Sequence, residues 1–214
     1  MAAERGRLVV IEGIDGAGTT THVARLADRL RKDRVRVHPT HEPSGGPIGT
    51  LIRQVLTGRL VVPGGRAPAW TTMALLFAAD RMDHFESEIE PFLATGAVVL
   101  SDRYDASSLA YQSATCGADV DVAVEWIRSL NRYVRRPDLT IVLDVSPEAA
   151  SDRRARRGDG AQLYDQNEVQ RVLAVFYKNL AKHMPGDRIA VVDGSGCIDE
   201  VHDRVWAEYT RHFS

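Results

Sequence analysis

Five short apolar runs rich in β-branched residues, at 8–11, 35–38, 97–100, 140–145 and 189–192, are separated by longer stretches of helical periodicity. Apolar runs without polar alternation are strands buried on both faces, and strands separated by helices pair in parallel through crossovers. The pattern therefore predicts an α/β fold of three layers, a five-stranded parallel sheet flanked by helices on both faces. Helices are expected at about 19–31, 70–94, 119–133, 147–157 and 167–182, with a last amphipathic segment at about 199–212. The turn-rich stretches 43–49 and 63–68 read as loops inside one domain, which 214 residues suit. In such sheets a ligand sits beyond the strand C-termini, where the strand order reverses.

Bulk properties remove several classes. With 27 basic against 29 acidic residues and a net charge of −2, no global basic field marks the chain for nucleic acid or an anionic membrane. Cys116 and Cys197 have no metal-ligand or redox spacing, which favours a reducing, cytoplasmic setting. The start, MAAERGRLVVIEG, lacks the long apolar stretch of a secretory leader, and no run approaches membrane-spanning length.

The run VVIEGIDGAGTTTH reads as strand, glycine-rich loop and helix. It follows G-x-x-x-x-G-K-[ST] with Gly13, Gly18 and Thr20 in register, but Thr19 stands at the lysine position. Small residues here, with Gly16 and Ala17 between the outer glycines, let successive backbone N–H groups curl round phosphate oxygens. The helix N-terminus adds its positive end. Thr20 would give a hydroxyl to a Mg²⁺ shell, and Thr21 is a second polar group there or a solvated first-turn residue. A plain glycine-rich turn is the competing reading; the strand before and the helix after favour phosphate.

Beyond the third strand, SDRYDASSLAYQ sets Asp102 at a strand end, placed to organise Mg²⁺ or orient an acceptor. Arg103 beside it is a bidentate fork for phosphate. In LLFAADRMDHFE, Phe77 and Arg81 are four apart on a helical pattern, so their Cβ atoms lie roughly 5–6 Å apart on one face. A ring to stack a base with a guanidinium one turn away suits a nucleotide. Taken singly, a surface ion pair at 102–103, and a core Phe77 with a solvated Arg81, are the better readings of the two pairs.

The glycine-rich loop, HEPSGG, FAADR, SDRYDASSLAYQ and RPDLTIVLDV follow one another in order over nearly the whole chain. Each is weak alone. The ordered set resembles bacterial thymidylate kinase, a P-loop nucleoside monophosphate kinase whose signatures read like REPGG, FAADR, DRY..S..AYQG and PDLT..LDV. The resemblance implies a single P-loop kinase domain that moves the γ-phosphate of ATP to dTMP, giving dTDP, with Mg²⁺. It also implies a homodimer packed through long helices such as 70–94.

Carried over position by position, the resemblance implies that Asp15 meets the sugar 3′-hydroxyl and the metal-bound phosphate region. Phe77 corresponds to the thymine-stacking ring and Arg81 to a residue near the base and acceptor phosphate. Arg103 corresponds to the arginine on that phosphate and Asp102 to a carboxylate of the Mg²⁺ network. Ser107 or Ser108, Tyr111 and Gln112 correspond to the segment that reads the base and closes over the deoxyribose, where Tyr111 would crowd a 2′-hydroxyl. Glu42 and Pro43 correspond to the loop beneath the base, where a cis X-Pro bond is allowed.

The chain departs from that pattern at Thr19, at His41 in place of arginine before Glu-Pro, and at Ser113 in place of glycine. In a lid at about 150–165, AQLYDQ puts Leu163 where an arginine is usual and Asp165 where a glutamate is usual. A missing lysine removes a point charge from a transition state stabilised by positioning and electrostatics. Arg153, Arg154, Arg156 and Arg157 offer replacements; on a helix Arg153 and Arg157 share one face, and Arg154 and Arg157 nearly so. Arg153 and Arg157 are therefore read as catalytic beside Asp15 and Arg103, with Arg154 on the ATP phosphates. A solvated basic helix face is the competing reading.

Two other functions stay open: another monophosphate or deoxynucleoside kinase, and a nucleotide-binding regulator that has lost catalysis. A nucleoside kinase needs a base to deprotonate a neutral 5′-hydroxyl, whereas a phosphate acceptor needs arginines, and Arg81 with Arg103 favours the second. Turnover separates an enzyme from a regulator.

Overall fold

The computed structural model describes residues 5–117, 119–157, 163–164 and 166–213. Five strands, β1 (Arg7–Gly13), β2 (Val37–His41), β3 (Val98–Asp102), β4 (Leu139–Asp144) and β5 (Ile189–Asp193), form one parallel sheet in the order β2-β3-β1-β4-β5. The expected five-stranded parallel sheet is thus the observed one. Leu8, Val9, Val10 and Ile11 are wholly buried, as a central strand covered on both faces requires.

Ten helices are described: α1 (Thr19–Lys32), α2 (Pro47–Leu56), α3 (Trp70–His84), α4 (Glu90–Ala94), α5 (Asp105–Ala114), α6 (Val120–Leu130), α7 (Pro147–Arg157), α8 (Asn167–Lys178), α9 (Leu180–His183) and α10 (Ile198–Phe213). α1 and α10 pack together on one face of the sheet. The helices that follow β2, β3 and β4 cover the other, as right-handed crossovers demand. The connection from β1 runs past β3 to β2, and that from β3 runs back past β1 to β4, so adjacent strands send their crossovers in opposite directions. The crevice at the C-terminal end of β1 is the topological switch point, and the glycine-rich loop sits there.

Three differences from the sequence expectation have physical causes. The helix expected over 70–94 is interrupted by a π-helical turn at Phe85–Ile89, just before Pro91 in the first turn of α4. Proline has no N–H to close the α-helical ladder, and a wider turn absorbs the missing bond. The loop expected at 43–49 ends early because Pro47 opens α2, its fixed φ suiting a first helical turn. The segment after β3, rich in Ser and Asp and absent from the expected helices, is the helix α5. Its first turn is capped by a carboxylate distant in sequence, Glu12, which local propensity does not reveal.

The loop between β2 and α2 is pinned from α3. Asp80, fully buried, accepts hydrogen bonds from the Ser44 backbone N–H at 2.8 Å and from Ser44 Oγ at 2.6 Å. Arg53 of α2 donates to the carbonyls of Pro43 and Ser44 at 2.9 and 2.5 Å. The Glu42-Pro43 bond that this loop carries is cis, as the resemblance allows.

Candidate active site

The loop between β1 and α1 is shaped by glycines. Gly16 and Gly18 have φ of 90° and 98°, backbone that residues with a Cβ rarely adopt. A Cβ on Gly16 would lie 2.4 Å from the Ala150 carbonyl oxygen, so α7 rests directly on the loop. Gly18 is the N-cap of α1 and no side chain caps that end. The first N–H groups of α1 therefore point into the cleft without an intrahelical partner, an anion site by construction.

Thr19 itself is buried, with only 6% of its surface exposed, so the lysine position presents no side chain to solvent. Two arginines of α7 occupy the neighbourhood. Arg153 donates to the Ala17 carbonyl at 3.2 Å and to the Gly194 carbonyl at 3.0 Å. Arg154 donates to the Asp15 carbonyl. Two of the four arginines expected as replacements for lysine, Arg153 and Arg154, thus touch the loop from α7. The side chain of Arg157 lies outside the described residues, as do 158–162 and Asp165 of the expected lid.

Beside the loop, Thr20 Oγ1 donates to Asp102 Oδ2, and Asp102 Oδ1 is buried with no hydrogen-bond partner. A hydroxyl and a carboxylate with an unsatisfied lone pair are the hard oxygen donors that suit Mg²⁺. No group of three or more His, Cys, Asp or Glu among the described residues could hold a metal alone. That fits an ion completed by substrate phosphates and water. Thr21 is exposed at the rim of the same cleft.

A pocket of ≈ 130 Å³, partly open to solvent, adjoins the loop. Its apolar wall comes from Pro43, Leu56 and Phe77, and its polar wall from Arg81, Ser107, Ser108 and Gln112. Phe77 packs its back against Ile52, Val55 and Met73 and turns its remaining surface to the pocket. Gln112 is buried and its Oε1 has no partner, a polar atom available to a ligand edge. Tyr111 and Tyr164 meet edge to face at 5.3 Å across the entrance, and the Leu163 N–H bonds the Leu56 carbonyl at 3.1 Å. The segment around 163–164 so closes one side.

Arg103 stands where the pocket meets the loop. It donates to Asp15 Oδ1 at 2.7 Å, to the Gly13 carbonyl at 3.0 Å and to Ser107 Oγ at 3.2 Å. Its guanidinium lies 5.3 Å from the centre of the Tyr111 ring. Its own φ is 71°, a left-handed conformation strained for arginine and typical of functional turns.

Arg81 is placed differently. It is fully buried and donates from Nε to Glu42 at 2.8 Å, from one terminal nitrogen to Asn131 at 2.5 Å, and from the other to the Tyr104 carbonyl at 3.1 Å and Ser108 Oγ at 3.0 Å. Guanidinium carries five N–H donors, so one remains for a ligand. Arg81 holds the pocket floor, joining β2, α3, α5 and α6. Arg81→Met is expected to destabilise the chain by roughly 3–5 kcal/mol, because it removes the guanidinium and leaves the buried Glu42 carboxylate only a 3.3 Å contact with His84. A shift of the urea midpoint to lower concentration measures it, and an unchanged midpoint refutes the clamp.

Glu12, Gln170 and Tyr177 join this site without a motif to announce them. Gln170 of α8, fully buried, accepts from the Asp15 N–H at 3.2 Å and donates to the Asp15 carboxylate at 3.1 Å and the Tyr164 carbonyl at 2.9 Å. The signal in the sequence is a polar residue on the same stripe as Leu173 and Tyr177, at helical spacing. Glu12 interrupts an apolar strand, which is the equivalent signal there. Burial pushes its carboxyl up to about 7, opposed by the charge of Arg103 and by hydrogen bonds from Ser107, Tyr104 and Tyr177.

The family model described as thymidylate kinase matches residues 11–205 of this chain. The probable thymidylate kinase of Pyrococcus abyssi is 37% identical over 203 residues, covering 95% of each chain. That of Pyrobaculum aerophilum is 41% identical over 194 residues, 90% of this chain and 91% of the relative. The thymidylate kinase of Magnetococcus marinus is 34% identical over 215 residues, 98% of both. Relatives of this kind are mostly archaeal, so the resemblance holds for the family and its narrowing to bacterial enzymes does not.

Proposed function

Because the chain belongs to the thymidylate kinase family, we propose that its two adjoining cavities hold dTMP and ATP for direct transfer of the γ-phosphate, giving dTDP and ADP. One observation carries the assignment of sites. Asp15, Glu42 and Arg103 line both the pocket beside Phe77 and the cleft over Gly16, Gly18 and Thr19–Thr21. A nucleotide seated in the pocket with its phosphate at Arg103 faces a donor phosphate held by the loop.

In this reading the pyrimidine stacks on Phe77 between Pro43 and Leu56, with Gln112 and Ser108 at its polar edge. Tyr111 covers the sugar and Asp15 accepts from its 3′-hydroxyl. An oxygen of the acceptor phosphate attacks the γ-phosphorus in line, the bond to the bridging oxygen breaks, and ADP carries the charge away. Arg103 offsets the acceptor charge that would otherwise repel the donor. The N-terminus of α1, Arg153 and Arg154 stabilise charge on the donor side, in place of the absent lysine. Thr20 and Asp102 would hold Mg²⁺, which when bound neutralises the donor phosphates.

The proposal extends to a homodimer, supported by the exposed apolar residues Leu51 and Leu75 of α2 and α3, and to a cytoplasmic setting. No described helix is long and apolar enough to cross a membrane. The test is a coupled assay with ATP, Mg²⁺ and dTMP, in which ADP and dTDP are expected to form in equal amounts. Tight dTMP binding without dTDP would leave a nucleotide-binding regulator as the reading.

A further inference from the structure

Glu12 lies at the C-terminal end of β1, wholly buried, one residue before the glycine-rich loop begins. A carboxylate in that setting is costly unless every lone pair is used. Here each oxygen accepts twice. Oε1 takes the backbone N–H of Tyr104 at 2.8 Å and of Ser107 at 3.1 Å. Oε2 takes Ser107 Oγ at 2.7 Å and the Tyr177 hydroxyl at 3.0 Å.

These partners converge on Arg103. The same Ser107 Oγ accepts from Arg103 at 3.2 Å, and the same Tyr177 hydroxyl lies 3.5 Å from it. Two hydroxyls therefore stand between the guanidinium and the carboxylate, each donating to Glu12 and turning a lone pair toward Arg103. The backbone is held as well. Arg103, with its left-handed φ, has its N–H on the Ile11 carbonyl at 3.0 Å, and the next N–H, of Tyr104, is the one Glu12 takes. Ser101 Oγ fixes the Arg103 carbonyl at 2.7 Å. The Tyr104 carbonyl is held as well, by Arg81 at 3.1 Å, so the bond to Glu12 is the part of this anchoring that the carboxylate supplies.

We propose that Glu12 is a positioning residue for phosphate transfer, holding Arg103 in its acceptor-facing pose through the Ser107 and Tyr177 hydroxyls and through the turn at Tyr104. The inference rests on the assignment of Arg103 to the acceptor phosphate. The groups facing Glu12 are Arg103 after β3, Tyr104 and Ser107 at the start of α5, and Tyr177 from α8; Asp15 and Tyr111 stand behind Arg103. Only the ionised carboxylate can accept all four bonds. Its protonation makes one oxygen a donor, so one of the two hydroxyls must turn away from its present orientation. Burial pushes this carboxyl up to about 7, which puts the change near neutrality.

The experiment compares wild type, Glu12→Gln and Tyr177→Phe, varying dTMP at saturating ATP and ATP at saturating dTMP, above and below neutral pH. Above neutrality Glu12→Gln is expected to raise the KM for dTMP about tenfold, the size of one hydrogen bond to a charged group, with the KM for ATP little changed. The ratio of variant to wild-type KM should shrink toward one as pH falls below about 7, as the wild-type carboxyl protonates. Taking the ratio cancels ionisation of the dTMP phosphate itself. Tyr177→Phe, which leaves Glu12 in place and removes one hydroxyl, should give a smaller rise of the same kind.

A purely structural role would lower thermal stability and weaken both substrates together, without the pH-dependent ratio. Equal effects on the two substrates, or a folded Glu12→Gln with a wild-type dTMP KM, overturn the proposal. Should Glu12→Gln not fold, an unchanged dTMP KM in Tyr177→Phe overturns it. A wild-type chain with no turnover of dTMP sinks instead the assignment of the acceptor site.

Discussion

Arg103→Ala is expected to reduce kcat/KM for dTMP by about a thousandfold, the scale on which arginines stabilise phosphoryl transfer. The residue stands at the junction of both cavities and is tied to Asp15 at 2.7 Å, so its loss removes a charge and frees the Asp15 carboxylate. Lysine at this position restores a charge but not the fork. Its ammonium is a compact point charge, without the planar fork whose separate nitrogens reach the Gly13 carbonyl and Asp15. Steady-state rates for wild type and the alanine variant, with circular dichroism to confirm folding, decide the matter. Activity within a few-fold of wild type would remove Arg103 from the acceptor site.

Arg153→Ala should lower kcat by about a hundredfold or more, the effect of deleting one preorganised charge stabiliser. Thr19→Lys in the wild-type background should change kcat only a few-fold, because α7 already brings cations to the loop at Ala17 and Asp15. Introduced together, Thr19→Lys should recover much of what Arg153→Ala loses. That non-additivity is the signature of two groups serving one charge requirement. Additive losses and gains would mean that Arg153 acts only on the fold, through Ala17 and Gly194. A very large gain from Thr19→Lys alone would mean that the natural loop lacks its cation.

Much of this was legible in the sequence where one residue type has one physical use. The continuous apolar strands could pair only in parallel under helices, and the glycines of the loop mark where phosphate meets backbone. The Phe77–Gln112 segments were read as a nucleotide pocket, and Phe77, Arg81, Arg103, Ser108, Tyr111 and Gln112 line one cavity. What stayed hidden depends on partners distant along the chain. Arg81 was read by its position one turn from Phe77, yet its guanidinium is engaged by Glu42, Asn131, Tyr104 and Ser108, which only the fold brings together. Glu12 and Gln170 carry no motif, because their work is to satisfy buried donors and acceptors of other site residues. The helix α5 escaped local propensity for the same reason: its cap comes from another strand.

The left-handed backbone at Arg103 has an evolutionary corollary. A side chain in that conformation costs about 1–3 kcal/mol, and glycine there would be relaxed. Glycine would release that backbone strain, at the loss of the guanidinium's bonds to Asp15, the Gly13 carbonyl and Ser107. Under the proposed acceptor role, selection for turnover and for a relaxed chain would pull one dihedral angle in opposite directions.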